Sequence, residues 1–451
     1  MTTQSEPASG RAAGIFGRSA GVVLALASLA APAAFAETAG GPLAGTVPVA
    51  IGPVPVDFIL FALTLFGVAI FHHRVFTVAV TGLTAILAWK FLVVGFNHGS
   101  GVAGFTAHMT HEWVVLANLF LLLLGFAVLS RHFETSNVPE KIPAILPDNW
   151  LGGVVLLGLV FFISSFLDNI AAAMIGGIVA KHVFEDRVHV GYIAAIVAAS
   201  NAGGAGSVVG DTTTTMMWID GVSPLDVLHA YVASFVALVI VSIPASIAQQ
   251  KYQPIQARAD ASVSVDWIRM LIVVVILATA IGANVAANLY APHLLDLIPV
   301  IGIGVWVAII VTAVLRKPDW AIVSSSLKGT LFLLCLVMSA SLMPVGSLPV
   351  ASWQSTMGLG FVSAVFDNIP LTALALAQGG YDWGMLAFAV GFGGSMMWFG
   401  SSAGVAITNI FPDAKSVWKW VTQGWFVIVG YVVGFMVLYL SLGWHPHAPH
   451  S

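Results

Sequence analysis

Charge is scarce in this chain. Asp, Glu, Lys and Arg together make up 8% of its 451 residues, about a third of the share in an ordinary soluble domain, and that excludes a soluble globular class. The net charge of −4 is spread thinly with no basic block, so nucleic acid and other polyanions have no electrostatic footprint to bind. Cysteine occurs once, at Cys335, which excludes an internal disulfide framework and a cysteine-based metal cluster. Set in Leu331-Phe332-Leu333-Leu334-Cys335-Leu336, it reads as a packing residue. Regular polar/apolar alternation is also missing, which argues against a closed β-barrel. What remains is apolar sequence in continuous runs of helix-spanning length, 59% hydrophobic with a mean hydropathy of +0.96. The expected fold is an all-α polytopic membrane protein.

Residues 1–36 read as a secretory signal. Arg11 and Arg18 precede an apolar core from Ala20 to Ala31, and Ala34-Phe35-Ala36 supplies small residues for cleavage. Beyond it, apolar runs are counted against Lys and Arg, which gather on cytoplasmic loops. Spans Val54–Phe71, Val75–Phe96 and Trp113–Ser130 place Arg74, Arg131 and Lys141 inside and the loop Asn97–His111 outside. Lys90 alone sits against this pattern. The run Trp150–Val183 has basic residues on both flanks (Arg131 and Lys141, then Lys181 and Arg187), so it reads as a re-entrant hairpin. A broken span from Gly191 exits to a loop, Asp220–Asp226, without Lys or Arg, and Val227–Gln249 returns to a cytoplasmic linker, 251–266. The second half follows with Met270–Asn288, Leu294–Leu315, Lys328–Pro344, a hairpin Pro349–Gln378, a second broken span landing at Lys415 and Lys419, and Trp418–Leu442. Each half, 54–250 and 267–442, has five spans plus one hairpin; because five is odd, the second repeat is expected to be inverted. A His-rich tail, 443–451, should lie outside, making the C-terminus periplasmic in a bacterial-type inner membrane.

Two phrases stand out within this plan. Phe162-Ile163-Ser164-Ser165-Phe166-Leu167-Asp168-Asn169-Ile170 returns as Phe361-Val362-Ser363-Ala364-Val365-Phe366-Asp367-Asn368-Ile369, with an Asp-Asn pair near the middle of each hairpin. Ionisable groups inside a membrane are costly and mark functional sites by default. The broken spans align as well: Asn201, Gly203-Gly204 and Gly210-Asp211-Thr212 in one half, Gly393-Gly394 and Gly400-Ser401-Ser402 in the other, at the same separation. Glycines this dense do not make a comfortable helix interior. Inverted repeats whose discontinuous helices meet at the midplane are the construction of secondary transporters.

Sodium and lithium take oxygen ligands, and Asp168, Asn169, Asp211, Thr212, Asp367, Asn368, Ser401 and Ser402 supply them. A carboxylate that takes up a proton when the ion leaves and loses it when the ion binds would exchange the two. The plainer reading is that these residues only cap half-helices and that the glycines only let helices approach. Gly400-Ser401-Ser402-Ala403-Gly404 spells the serine-hydrolase elbow, but the helical setting lacks the required strand and triad histidine. The sequence thus reads as a transporter rather than an enzyme. An intramembrane aspartyl protease is disfavoured because the repeat already explains where the aspartates stand. His72, His73, His108, His111, His445, His447 and His450 read as solvated or interfacial.

Together the two Asp-Asn tips and two Gly-Gly breaks resemble the NhaD-type sodium/proton antiporters, of the ion-transporter superfamily that includes citrate carriers and arsenite permeases. That resemblance implies hairpin tips facing broken helices around a cation site, with Na+ held at Asp168, Asp367 and Thr212. It also implies an elevator-like movement and a homodimer. Na+ or Li+ and H+ would be cargo, with no cofactor, and the other partners would be the lipid bilayer and small ions. One departure is that Ala171-Ala172-Ala173 stands where such proteins carry threonines. The second copy, with Thr372, and the Thr212–Thr215 run are therefore expected to carry more of the ligation. A citrate or other organic-anion carrier, or an arsenite permease, is the alternative on the same fold.

Overall fold

The structure, a computed structural model, describes residues 49–71, 74–96, 99–256 and 264–447. The signal-like segment 1–36, His72, His73, Arg258 and His450 lie outside the described residues. A two-stranded ribbon, β1 (Ala50–Ile51) paired antiparallel with β2 (Val54–Pro55), precedes an almost wholly helical chain. Six helices, Val75–Val94, Gly101–Glu134, Pro224–Tyr252, Trp267–Tyr290, Ala321–Ser341 and Trp425–Leu442, are long and apolar enough to cross a membrane. The protein is an all-α polytopic membrane protein.

Helices α1 (Val56–Ile70) and α2 (Val75–Trp89) form an antiparallel pair, followed by the long α3 (Gly101–Glu134). The first Asp-Asn hairpin is α4 (Trp150–Ser164) and α5 (Asn169–Val183). The first broken span is α6 (Val190–Ala205) and α7 (Thr212–Ile219), and α8 (Ala230–Tyr252) closes the half. In the second half α9 (Trp267–Tyr290), α10 (Val300–Thr312) and α11 (Ala321–Ser341) lead to the second hairpin, α12 (Trp353–Ser363) and α13 (Asn368–Gln378). The second broken span is α14 (Trp383–Gly393), a 3-10 turn Gly394–Met396 and α15 (Ser402–Ile410), followed by α16 (Val417–Gln423) and α17 (Trp425–Leu442).

The two copies share local construction. Asp168 (φ −50°, ψ 137°) caps α5 by accepting from Ile170 N at 3.2 Å, and Asp367 (φ −54°, ψ 139°) caps α13 by accepting from Ile369 N at 3.0 Å. Four residues before each aspartate a serine hydroxyl ties the hairpin to its broken helix: Ser164 donates to Ser200 O at 2.6 Å, Ser363 to Val390 O at 2.7 Å. Glycine makes this approach possible. A Cβ on Gly203 would strike the Phe161 carbonyl, and one on Gly393 would strike Gly360, so any side chain there would push the hairpin away. Across the copies, α5 packs on α15 while α13 packs on α7.

Loop ends gather into two faces. At one, Arg131 bonds Asp319, Arg316 bonds Asp266, Asp266 N donates to Ser136 O, and Gln256 N donates to Val183 O. At the other, Gln378 Nε2 donates to Pro349 O, His447 Nε2 lies 3.3 Å from Asp226 Oδ2, and His445 N donates to Asp382 Oδ2.

Several expectations are corrected. The loop Asn97–His111 is helical from Gly101 onward, because hydropathy marks where a helix meets lipid and not where it starts. His108, expected to be solvated, is buried with Nε2 3.1 Å from Ser341 Oγ. The helix holding Lys328 begins seven residues earlier, at Ala321, and Trp418–Leu442 is interrupted at Gly424. The tail, by contrast, adds a contact that no expectation addressed: up to His447 it is docked on the N-terminus of α14.

Candidate functional site

The polar centre is assembled from four half-helix ends. Asn169, first residue of α5, donates from Nδ2 to Asn201 Oδ1 at 3.1 Å and to Asp211 Oδ2 at 3.0 Å. Asp211 caps α7, its Oδ1 accepting from Thr213 N at 3.0 Å. Asn201, in the last turns of α6, reaches the other half of the chain, donating to Ser395 Oγ at 2.9 Å and Ser401 Oγ at 3.2 Å. Asn169, Asn201, Asp211, Ser395 and Ser401 are all buried, so each amide hydrogen placed here has an acceptor and the cost of burial is met internally. Ser401 also accepts from Gly404 N as the cap of α15. Ser402 Oγ donates to Asp367 Oδ2 at 3.2 Å, joining the second hairpin tip to the second break.

A cavity of about 360 Å³ opens onto this centre. Asp168, Asp211, Thr212 and Ser402 stand in its wall together with Ala171 and Thr215. Asp367, Asn368 and Thr372 are not among its lining residues. Thr372 donates to Asn368 O within its own helix, and Thr214 and Thr215 donate to the carbonyls of Asp211, Ser207 and Val208, stitching the unwound stretch to α7. In this conformation the cavity wall takes Asp168, Asp211, Thr212 and Thr215 from the first copy and Ser402 from the second, so the Thr212–Thr215 run expected to carry ligation stands in the wall while the second tip, expected alongside it, does not. The break residues divide by role: Gly203 and Gly393 admit the hairpins, while Cβ atoms on Gly204 and Gly394 would meet the carbonyls of Gly210 and Gly400, each at 2.7 Å.

Sequence reasoning missed two features. Ser395 was seen only as part of a glycine-rich break, yet it accepts from Asn201. Asp57 and Lys90 form a buried ion pair, Nζ to Oδ1 2.8 Å, at 0% and 3% side-chain exposure. Neither Asp57 oxygen receives a hydrogen bond of good geometry among the described residues, so attraction to Lys90 is what offsets its burial. The signal was present: Asp57 near the start of α1 and Lys90 just past the end of α2 both lie at the ends remote from the α1–α2 connection, which places them close together in an antiparallel pair, and a charge within a span needs a partner.

A helical membrane protein whose interrupted helices converge on a buried polar centre has the build of a secondary transporter. No family model matches the chain. It is 26% identical over 384 residues to sodium/proton antiporter 1 of Arabidopsis thaliana, covering 74% of this chain and 63% of that protein. With sodium/proton antiporter 2 of Arabidopsis thaliana it shares 26% identity over 84% of this chain and 98% of the relative. With the Na+/H+ antiporter NhaD of Alkalimonas amylolytica it shares 26% over 73% and 78% respectively. The chain is thus similar to sodium/proton antiporters, NhaD among them, as its motifs implied.

Proposed function

We propose that the chain is a secondary active transporter exchanging Na+ or Li+ for H+, built from two inverted repeats, 54–250 and 267–442. The observation that carries this reading is the cavity that opens onto Asp168, Asp211, Thr212 and Ser402. Arg131 and Glu134, both partly exposed, stand in the same cavity wall. A cation entering there meets carboxylate and hydroxyl oxygens, the ligands that hard monovalent ions prefer. Asn169 and the Thr213 amide hold the Asp211 carboxylate in place, so its oxygens present themselves to cation or proton without reorganising. Asp367, reached through Ser402, is the counterpart for the opposite access state. The reciprocal packing of α5 on α15 and α13 on α7 supports inversion of the repeats. The relatives' names support the same cargo. The setting is the inner membrane with the signal removed, the C-terminus periplasmic and the chain homodimeric.

Transport in proteoliposomes under an imposed pH gradient tests the proposal, with sodium, lithium, potassium, citrate and arsenite offered in turn. Sodium- or lithium-driven proton movement is expected, lost in Asp168→Asn and Asp367→Asn. Citrate or arsenite uptake with no cation-driven proton signal would replace this reading with the carrier alternative. Cysteines placed near Lys181 and Gly380 should label from opposite sides.

A further inference from the structure

The cavity continues as a groove between α3 and α11. Leu122, Phe126, Ser130 and Glu134 advance along α3 about one turn at a time, and Leu333, Thr330, Ser326 and Ile322 do so along α11 in the reverse direction. Both series end where Arg131 (41% exposed), Glu134 (36%) and Asp319 (42%) meet solvent. There the guanidinium is held from two sides: Nε donates to Asp319 Oδ2 at 3.0 Å and Nη1 to Glu134 Oε2 at 3.1 Å. Between mouth and floor the buried Ser130 hydroxyl, also in the cavity wall, has no hydrogen-bond partner among the described residues, an open oxygen on the way in.

Exposed ion pairs add little to stability, so this trio's position matters more than its strength. Arg131 carries a permanent positive charge in the same cavity as Asp168. Clamped by two carboxylates, it leaves the mouth one unit negative and favourable to a cation; unclamped, it would compete for that place. We propose that Arg131 is a charge gate, a tethered cation that sets how readily Na+ or Li+ enters the cavity, with Glu134 and Asp319 holding it aside. This rests on the antiporter reading.

The test uses vesicles with the Arg131 face outward and reads the half-saturating Na+ concentration for proton exchange. Arg131→Gln should lower it roughly two- to fivefold, by the local ion enrichment a unit charge produces. Glu134→Gln and Asp319→Asn should raise it by a similar factor. Both shifts should shrink at high choline concentration, where screening is strong. Arg131→Lys keeps the charge and should stay near the wild-type value, separating charge from folding. Opposite-signed shifts carry the proposal. Shifts of one sign in all three neutral variants, or changes in maximal rate alone, would overturn it while leaving the antiporter reading intact. A wild-type protein silent to both sodium and lithium would remove both.

Discussion

Replacing Lys90 with Met asks how much the Asp57–Lys90 pair contributes. At 2.8 Å and an effective dielectric of about 20, the attraction is roughly 6 kcal/mol, set against several kcal/mol per ion of desolvation. The two nearly cancel, so the pair as a whole adds little. Removing one partner is a different matter: Lys90→Met leaves a buried carboxylate without its only compensation and should cost about 3–5 kcal/mol, as should Asp57→Leu. The double variant Asp57→Leu/Lys90→Met removes both charges from an apolar interface and should come back to within about 1 kcal/mol of wild type, or exceed it. Thermal unfolding of the detergent-solubilised protein, followed by tryptophan fluorescence, compares the four proteins. The reasoning fails if Lys90→Met is as stable as wild type, or if the double variant loses the sum of the two single losses.

Gly203→Ala should abolish folding or transport, because the new methyl meets the rigid backbone of Phe161, whereas Gly158→Ala, with open space around it, should be silent; expression and size-exclusion profiles separate them. Asn201→Leu removes three hydrogen bonds, two of which link the two halves, and, at about 0.6 kcal/mol for each interhelical bond, should cost roughly 2 kcal/mol; a loss under about 0.5 kcal/mol in the same thermal assay would contradict the network. In the turn beyond α7, burial lifts the Asp220 carboxyl to about 7. The folded state thus holds this proton more tightly than the unfolded one, and stability should fall as pH rises from about 4 to 7 and level off above that. Asp220→Asn should remove that slope from a pH series of unfolding midpoints; an unchanged slope would refute the assignment.

Much of this architecture could be read from the chain because its cues are local. Dense glycine marks the breaks and an Asp-Asn pair marks a cap. Long-range facts were harder. Gly101–His111 looked like a loop because Thr, His and Gly dilute its hydropathy, yet Gly104 and His108 turn to the same buried side of α3. Asn201 could be placed at the break, but its reach to Ser395 and Ser401 depends on how the two halves meet. Nor does any local pattern say which of two similar tips a cavity will open onto; that is decided by how α3 and α11 stand against the four half-helices.

The network in which Asn169 bonds Asp211 and Asn201, and Asn201 bonds Ser395 and Ser401, ties both broken helices into one mechanical unit. Any shift of one break relative to the other would strand buried amides and hydroxyls, so the stiff part of the molecule is its polar centre. Around it, α13 and α7 meet α11 and α3 through side chains such as Ile369, Ala373, Met216, Phe332 and Leu119, surfaces that can slide past one another without leaving a donor unmet. Lubrication and stiffness are thus distributed oppositely to those of a soluble enzyme, whose rigid frame surrounds a pliable centre. On the proposed antiporter reading the ion's surroundings would travel intact and the greased wall would yield, so bulkier or smaller side chains on that wall should alter turnover before they alter the preference for an ion.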